Sequence, residues 1–231
     1  MIVIITSTIK PLNRSFFDYE TRIKQTIQTL ESLQGKAKDI YIIDNSPNIG
    51  QTELEQILSA FPAVKKLHVK QFSFNNKGIN EILMLLTLCD ELPLNTPLFK
   101  ISGRYIYNNP VLQYDPFTDD DFVGKEYEGN SRYATISTRA YYVKNVSVLR
   151  TLLLDTLSNI FTYPEKIVGV KSFFNVLNKA LFNKDYIKVS TSVEFAMLRA
   201  IKSNRYKLKL IDNLGIEGYV AGSEKLELLS E

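Results

Sequence analysis

Three short apolar runs, each closing on a polar cluster and separated by stretches of helical periodicity, constrain this chain more than any other feature. Ile2-Val3-Ile4-Ile5 ends in Thr6-Ser7-Thr8, Ile40-Tyr41-Ile42-Ile43 in Asp44-Asn45-Ser46, and Pro97-Leu98-Phe99-Lys100-Ile101 in Ser102-Gly103-Arg104-Tyr105. Continuous apolar runs of this length suit strands buried on both faces, as in a parallel sheet covered by helices. In an open α/β sheet, ligands bind at the carboxyl ends of the strands. Polar tips on apolar strands therefore mark a small-molecule site, and a nucleotide suits one.

The segments between the runs agree. Ile23, Ile27, Leu30 and Leu33 recur at helical spacing over 18–33, with Gly35 as a stop signal. Leu54, Ile57, Leu58 and Phe61 share one face of a second helix, and 64–69 alternates as a strand. A long helix is expected from Ile79 to about Leu92, opened by Asn75-Asn76-Lys77-Gly78. This β-α-β-α-β-α-β rhythm over 1–105 predicts a doubly wound, mostly parallel sheet with right-handed crossovers. Beyond it the pattern becomes mixed α+β. Strands are expected at 121–125, 133–143, 206–211 and 216–220, and helices at 146–161, 168–181 and 192–203. With no repeat, low-complexity tract or linker, the 231 residues are read as a single domain.

Composition narrows the chemistry. A net charge of +3, spread among paired acids and bases, gives no basic footprint for nucleic acid. The single histidine, His68, and single cysteine, Cys89, exclude a Cys/His zinc site and an intrachain disulfide. Cys89 lies in an apolar run, as a buried inert thiol would. His68 lies within a strand, the wrong element for a Ser-His-Asp triad. Chemistry here falls to carboxylates, hydroxyls, amides and cations. The chain starts directly on a strand and has no run of about 18 apolar residues, so a cytoplasmic protein without a transmembrane segment is expected, peripheral membrane contact remaining open.

Each candidate has a structural alternative. Asp44, Asn45 and Ser46 suit base and ribose binding, or an Asx turn. Thr6, Ser7 and Thr8 offer hydroxyls at the first tip, or ordinary turn chemistry. Asn76, Lys77 and Gly78 place a cation and a helix N-terminus near a phosphate, or simply cap a helix. Arg22 reaches a phosphate or faces solvent. Arg104, just past Gly103 at the end of a buried strand, is hard to explain by packing, because an unpaired buried charge is costly. Asp119-Asp120-Asp121 reads as a metal site or a solvated turn. Glu194 reads as a general base or as the acid of a capping box begun by Thr191.

The Lys100-Ile101-Ser102-Gly103-Arg104-Tyr105 stretch resembles small GT-A-type glycosyltransferases, in particular bacterial and viral surface-polysaccharide members with a Lys-(Ile/Leu)-(Ser/Thr)-Gly-Arg-Tyr segment. Ile42-Ile43-Asp44-Asn45-Ser46 resembles their second-strand signature, whose acid contacts the nucleoside. Asn76-Lys77-Gly78-Ile79-Asn80 resembles their Asn-x-Gly turn. Ser192-Val193-Glu194 and 214–222 resemble the C-terminal half. The resemblance implies a GT-A-like fold, with 1–105 as the nucleotide-binding half and 106–231 as the acceptor half. It further implies transfer of a sugar from a nucleotide-sugar donor to a glycan or lipid-linked acceptor in surface polysaccharide synthesis. Thr6, Thr8, Asp44, Asn45, Ser46, Asn76, Lys77, Gly78, Ser102, Gly103 and Arg104 would bind the donor, and Glu194 and Arg104 would serve catalysis.

One departure stands out. GT-A enzymes carry Asp-x-Asp after the fourth strand to hold a divalent cation, and here that place holds Ser102-Gly103-Arg104. Hard cations need oxygen ligands, so the metal requirement is open, and Arg104 is the group expected to meet the diphosphate. A non-catalytic nucleotide-binding or scaffold protein is the alternative reading. A nucleotidyltransferase fits less well, because Thr6 to Arg14 has no glycine-rich phosphate loop.

Overall fold

A computed structural model describes residues 1–11, 17–72, 74, 77–109, 112, 119–127, 134–162, 169–182, 192–219 and 228–231. The first half reads β1 (Ile2–Ser7), α1 (Tyr19–Leu33), β2 (Asp39–Asp44), α2 (Gln51–Ile57), β3 (Lys65–His68), α3 (Lys77–Cys89) and β4 (Leu98–Ser102). Three short strands follow, β5 (Tyr105–Tyr107), β6 (Phe122–Gly124) and β7 (Glu126–Tyr127). Then come β8 (Thr135–Ile136), β9 (Ala140–Val143), α4 (Val146–Thr162), α5 (Val170–Phe182) and α6 (Val193–Ser203). The chain closes with β10 (Leu208–Leu210), β11 (Ile216–Tyr219) and β12 (Leu228–Ser230).

The central sheet runs β10-β6-β9-β4-β1-β2-β3. Only β9 opposes the common direction, through its antiparallel pairing with both β4 and β6. Strand order reverses between β1 and β4, where Thr6 lies opposite Ser102. That reversal leaves a crevice at the carboxyl ends of the two strands.

Side-chain alternation along β1 builds a core on each face of the sheet. Ile2 and Ile4 join Ile82, Leu85 and Leu88 of α3, Leu149 and Leu153 of α4, and Met197 and Ile201 of α6. Val3 and Ile5 join Leu30 and Leu33 of α1, Leu54 of α2, and Tyr105 and Tyr107 of β5. Helices therefore cover both faces, as the uninterrupted apolar runs require. Asp18 starts α1 by accepting a hydrogen bond from the Thr21 N–H at 2.7 Å, and Gly35 stops it in the left-handed region at φ +74°. Cys89 is buried in the α3 core, where burial pushes its thiol up to about 12, so it stays protonated and unreactive at neutral pH.

From Tyr105 onward the structure adds two features that the sequence reading did not contain. The single strand expected over 133–143 is interrupted: β8 leaves the central sheet to pair with β7, and β9 pairs with β4. Between them, Ser137-Thr138-Arg139 turns its polar groups to other partners. The Ser137 N–H binds the Lys125 carbonyl, and the Thr138 carbonyl accepts from the Lys100 ammonium. Alternation cannot reveal such an interruption, because the flanking residues keep strand composition. Tyr105, the last residue of the third polar cluster, is buried at the start of β5. There, in a separate sheet of order β12-β11-β5, Gly218 of β11 lies against it so closely that a Cβ would meet the Arg104 carbonyl at 2.6 Å.

Candidate functional site

The tips of β1 and β2 are fastened to each other rather than held open. Asp44 is fully buried, and its two carboxylate oxygens accept the Ile9 and Ser46 N–H groups, each at 2.8 Å. The Thr8 hydroxyl donates to Asn45 at 2.6 Å, and the Ser46 hydroxyl accepts the Lys10 N–H at 2.8 Å. Of the two readings the sequence left open for Asp44, the Asx turn is the one formed. Both oxygens of its carboxylate are thus engaged by backbone N–H groups of the loops that follow β1 and β2.

Arg22 is not the solvent-facing helical arginine its position suggested. Its guanidinium bends back to donate to the Thr8 carbonyl at 3.2 and 3.3 Å. Burial, and then the neighbouring Arg104 guanidinium, push it down to about 10, with Asp44 opposing. Two guanidiniums held within electrostatic reach of each other make this corner of the crevice receptive to an anion.

A cleft of about 280 Å³ opens beside Arg104, at the carboxyl end of β4. Four elements shape it. Ser102-Gly103-Arg104 turns β4 into β5, with the Gly103 N–H on the Thr6 carbonyl and the Arg104 N–H on the Ser102 carbonyl. That turn leaves Arg104 half-exposed, its guanidinium 5.6 Å from the Tyr105 ring centroid and without a carboxylate partner among the described residues. Lys77 and Gly78 bring the first turn of α3 to the cleft, and helix N-termini favour anions. Val193 and Glu194 bring the first turn of α6. The interrupting residues Ser137, Thr138 and Arg139, with Tyr127, complete the wall.

Glu194 lines the cleft. Ser192, not Thr191, supplies the N-cap, accepting the Phe195 N–H at 3.3 Å, which makes Glu194 the second residue of the helix rather than the third. The reciprocal capping-box contact is thus displaced, and the Glu194 carboxylate instead accepts the Thr138 hydroxyl at 3.4 Å. Thr191 and Asn76 lie outside the described residues.

Asp119 to Asp121 stand at the other end of the sheet. Phe122, next to Asp121, pairs with Val143, which pairs with Leu98 at the start of β4. Asp121 accepts the Lys207 N–H at 3.0 Å and pairs with Lys144 at 3.6 Å; Asp119 pairs with Lys207 at 3.4 Å. The run brackets β6 against β10, a strand length away from Ser102, and its acids pair with lysines there.

Two groups missed in the sequence form the floor of the cleft. Lys100 is completely buried, and its ammonium donates to Glu81 at 2.5 Å, the Thr138 carbonyl at 2.6 Å and the Ser102 hydroxyl at 3.2 Å. The Thr6 hydroxyl donates to the same Glu81 oxygen at 3.0 Å. A chain of contacts thus runs Thr6, Glu81, Lys100, Thr138, Glu194. Burial pushes the Lys100 ammonium below the ordinary lysine range; Arg104 adds to this, while Glu81 and Glu194 oppose it. On the wall, Arg139 pairs with Glu231 at 2.5 Å and lies 4.6 Å from the Tyr127 ring centroid, and Ser137 donates to Glu231 at 2.8 Å.

The floor pair gives a stability prediction. Glu81→Ala strands the buried Lys100 charge and should cost about 2–3 kcal/mol at neutral pH. Because burial makes the folded-state lysine release its proton below the unfolded value, the unfolded chain holds more protons than the folded one between the two values, and stability rises with pH across that window. The deficit should shrink toward the ordinary lysine range, as urea unfolding from neutral to alkaline pH would show. A deficit constant with pH would exclude Lys100 as its cause.

A divalent cation, which the GT-A resemblance implies, does not suit this donor set. Among the described residues no group of three or more Asp, Glu, His or Cys side chains comes together. One oxygen of Glu81 is paired with the Lys100 ammonium, and Arg104 stands where the second acid of Asp-x-Asp would be. Nor is any helix among the described residues long and apolar enough to cross a membrane.

No protein-family model matches this chain, and no curated protein matches it. Among solved structures it is similar to an active-site mutant of LgtC, with a TM-score of 0.51 and 10% identity over 78% of this chain and 70% of that one. It is also similar to apo GlyE, a glycosyltransferase of Streptococcus pneumoniae TIGR4 (TM-score 0.48, 12% identity, 78% of this chain and 43% of that one). A nucleoside-diphosphate-sugar pyrophosphorylase from Vibrio cholerae RC9 has a TM-score of 0.48 at 10% identity, over 94% of both chains. At this identity the likeness to LgtC is one of fold. The chain has a GT-A-type fold, a mostly parallel seven-stranded sheet with helices on both faces.

Proposed function

We propose that this protein is a glycosyltransferase that moves a sugar from a nucleotide-sugar donor to a glycan or lipid-linked acceptor, as in surface polysaccharide synthesis. The observation that carries the reading is Arg104, a guanidinium without a carboxylate partner among the described residues, at the carboxyl end of β4 beside the first turn of α3. That is where a diphosphate would gather charge-assisted hydrogen bonds in a GT-A-type sheet. Residues 1–105 supply the nucleotide side and 106–231 the acceptor side. The acceptor oxygen bonds to the sugar C1 as the bond from C1 to the phosphate oxygen breaks. The electron pair leaves with the diphosphate toward Arg104, and the acceptor proton passes to Glu194.

Calorimetric titration with UDP, GDP and CMP, followed by donor hydrolysis with the matching nucleotide-sugar, tests this directly. Binding of a nucleoside diphosphate together with slow donor hydrolysis is expected. Binding with no turnover on any donor would favour the non-catalytic reading, and failure to bind all three would remove the nucleotide site altogether.

A further inference from the structure

Glu81 divides its two carboxylate oxygens. Oε1 receives both the Lys100 ammonium and the Thr6 hydroxyl, while Oε2 has no partner among the described residues. The side chain is 27% exposed, and its exposed part lines the cleft. Lys100 cannot compete for a ligand. An ammonium has three donors, and these are spent on Glu81, the Thr138 carbonyl and the Ser102 hydroxyl inside a fully buried position. The floor therefore presents the cleft with an acceptor whose orientation is fixed from behind. Glu194 presents a second carboxylate to the same cleft, joined to the first through Thr138.

We propose that Glu81 is the specificity-determining residue for the transferred sugar, accepting its hydroxyl or amino hydrogens and selecting neutral or amino sugars over uronic and other acidic ones. The proposal rests on the glycosyltransferase reading and deepens it. A hydroxyl or ammonium donates to a carboxylate oxygen, whereas a sugar carboxylate sets acceptor against acceptor, with like charge and no proton between them. The Lys100 and Thr6 contacts matter because both fall on Oε1, fixing the side chain from behind and leaving Oε2 toward the cleft. Charge on the cleft is thus divided: cations at the Arg104 end for the diphosphate, carboxylates over the floor for the sugar.

UDP-glucose and UDP-glucuronic acid differ only in the oxidation state of C6, and GDP-mannose and GDP-mannuronic acid form the matching pair. Calorimetry with whichever pair shares the nucleotide that binds, with UDP or GDP alone as the control, tests the assignment. Wild-type protein should bind the neutral donor at least about tenfold tighter than its uronic partner. Glu81→Gln keeps an acceptor for Lys100 and Thr6, so it should fold. It should bring the two donors to within about twofold while the free diphosphate binds as before. The double variant Glu81→Gln/Lys100→Met, which removes the buried charge as well, should retain the near-parity and guards against a folding artefact. Undiminished discrimination in Glu81→Gln overturns the proposal, as does an equal weakening of diphosphate and both donors. If UDP, GDP and CMP all fail to bind the wild-type protein, the glycosyltransferase reading itself fails and takes this assignment with it; binding of CMP alone overturns this assignment, which is made for a diphosphate-linked donor.

Discussion

Arg104→Ala should lower turnover by about 10²–10³-fold, the range found when one preorganised donor to a developing anion is removed. The melting temperature should hardly move, because no described carboxylate pairs with this guanidinium and it packs at the mouth of the cleft rather than in either core. Removing it also relieves the like charge that Arg22 now experiences, which offsets the lost packing on Tyr105. Lysine at this position should restore only part of the activity, since a point charge cannot reproduce a bidentate fork. Single-turnover rates and thermal unfolding measured on the same samples check this. A fall in stability equal to the fall in rate would make Arg104 a structural residue.

Glu194→Gln should leave nucleotide-sugar affinity within about twofold and reduce the transfer step by about 10²–10⁴-fold, the usual worth of a positioned general base. Glutamine preserves the hydrogen bond from Thr138 and the helix-capping arrangement, neither of which uses the charge. Under the proposed mechanism, hydrolysis of donor by water should fall less than transfer to an acceptor, whose hydroxyl proton would pass to Glu194. If transfer persists at the wild-type rate, the proton leaves by another route and the acceptor side of the cleft has been misassigned.

Much of the frame was legible because burial on both faces imposes a simple signature. Ile2 to Ile5, Ile40 to Ile43 and Leu98 to Ile101 have no room for alternation, and each became a strand of the central sheet. The cleft was only partly legible. Arg104, Lys77, Gly78, Ser102 and Glu194 all reach it, whereas Asp44 is consumed by its own loop. Strand-end position alone cannot separate a residue that faces a ligand from one that braces the turn.

A signal for the floor pair was present and went unused. Lys100 interrupts an otherwise apolar strand, and Glu81 is the sole acid of α3, so the burial cost of each implies the other. Arg139 and Glu231 carried no such cue. They are 92 residues apart, and nothing in either local pattern points across that separation.

Glu231 joins the smaller sheet to the cleft. Its backbone exchanges two hydrogen bonds with Ile216 and its side-chain carboxylate is buried against Ser137 and Arg139, so a change at this one side chain would disturb the placing of Arg139 and the packing of β11 together.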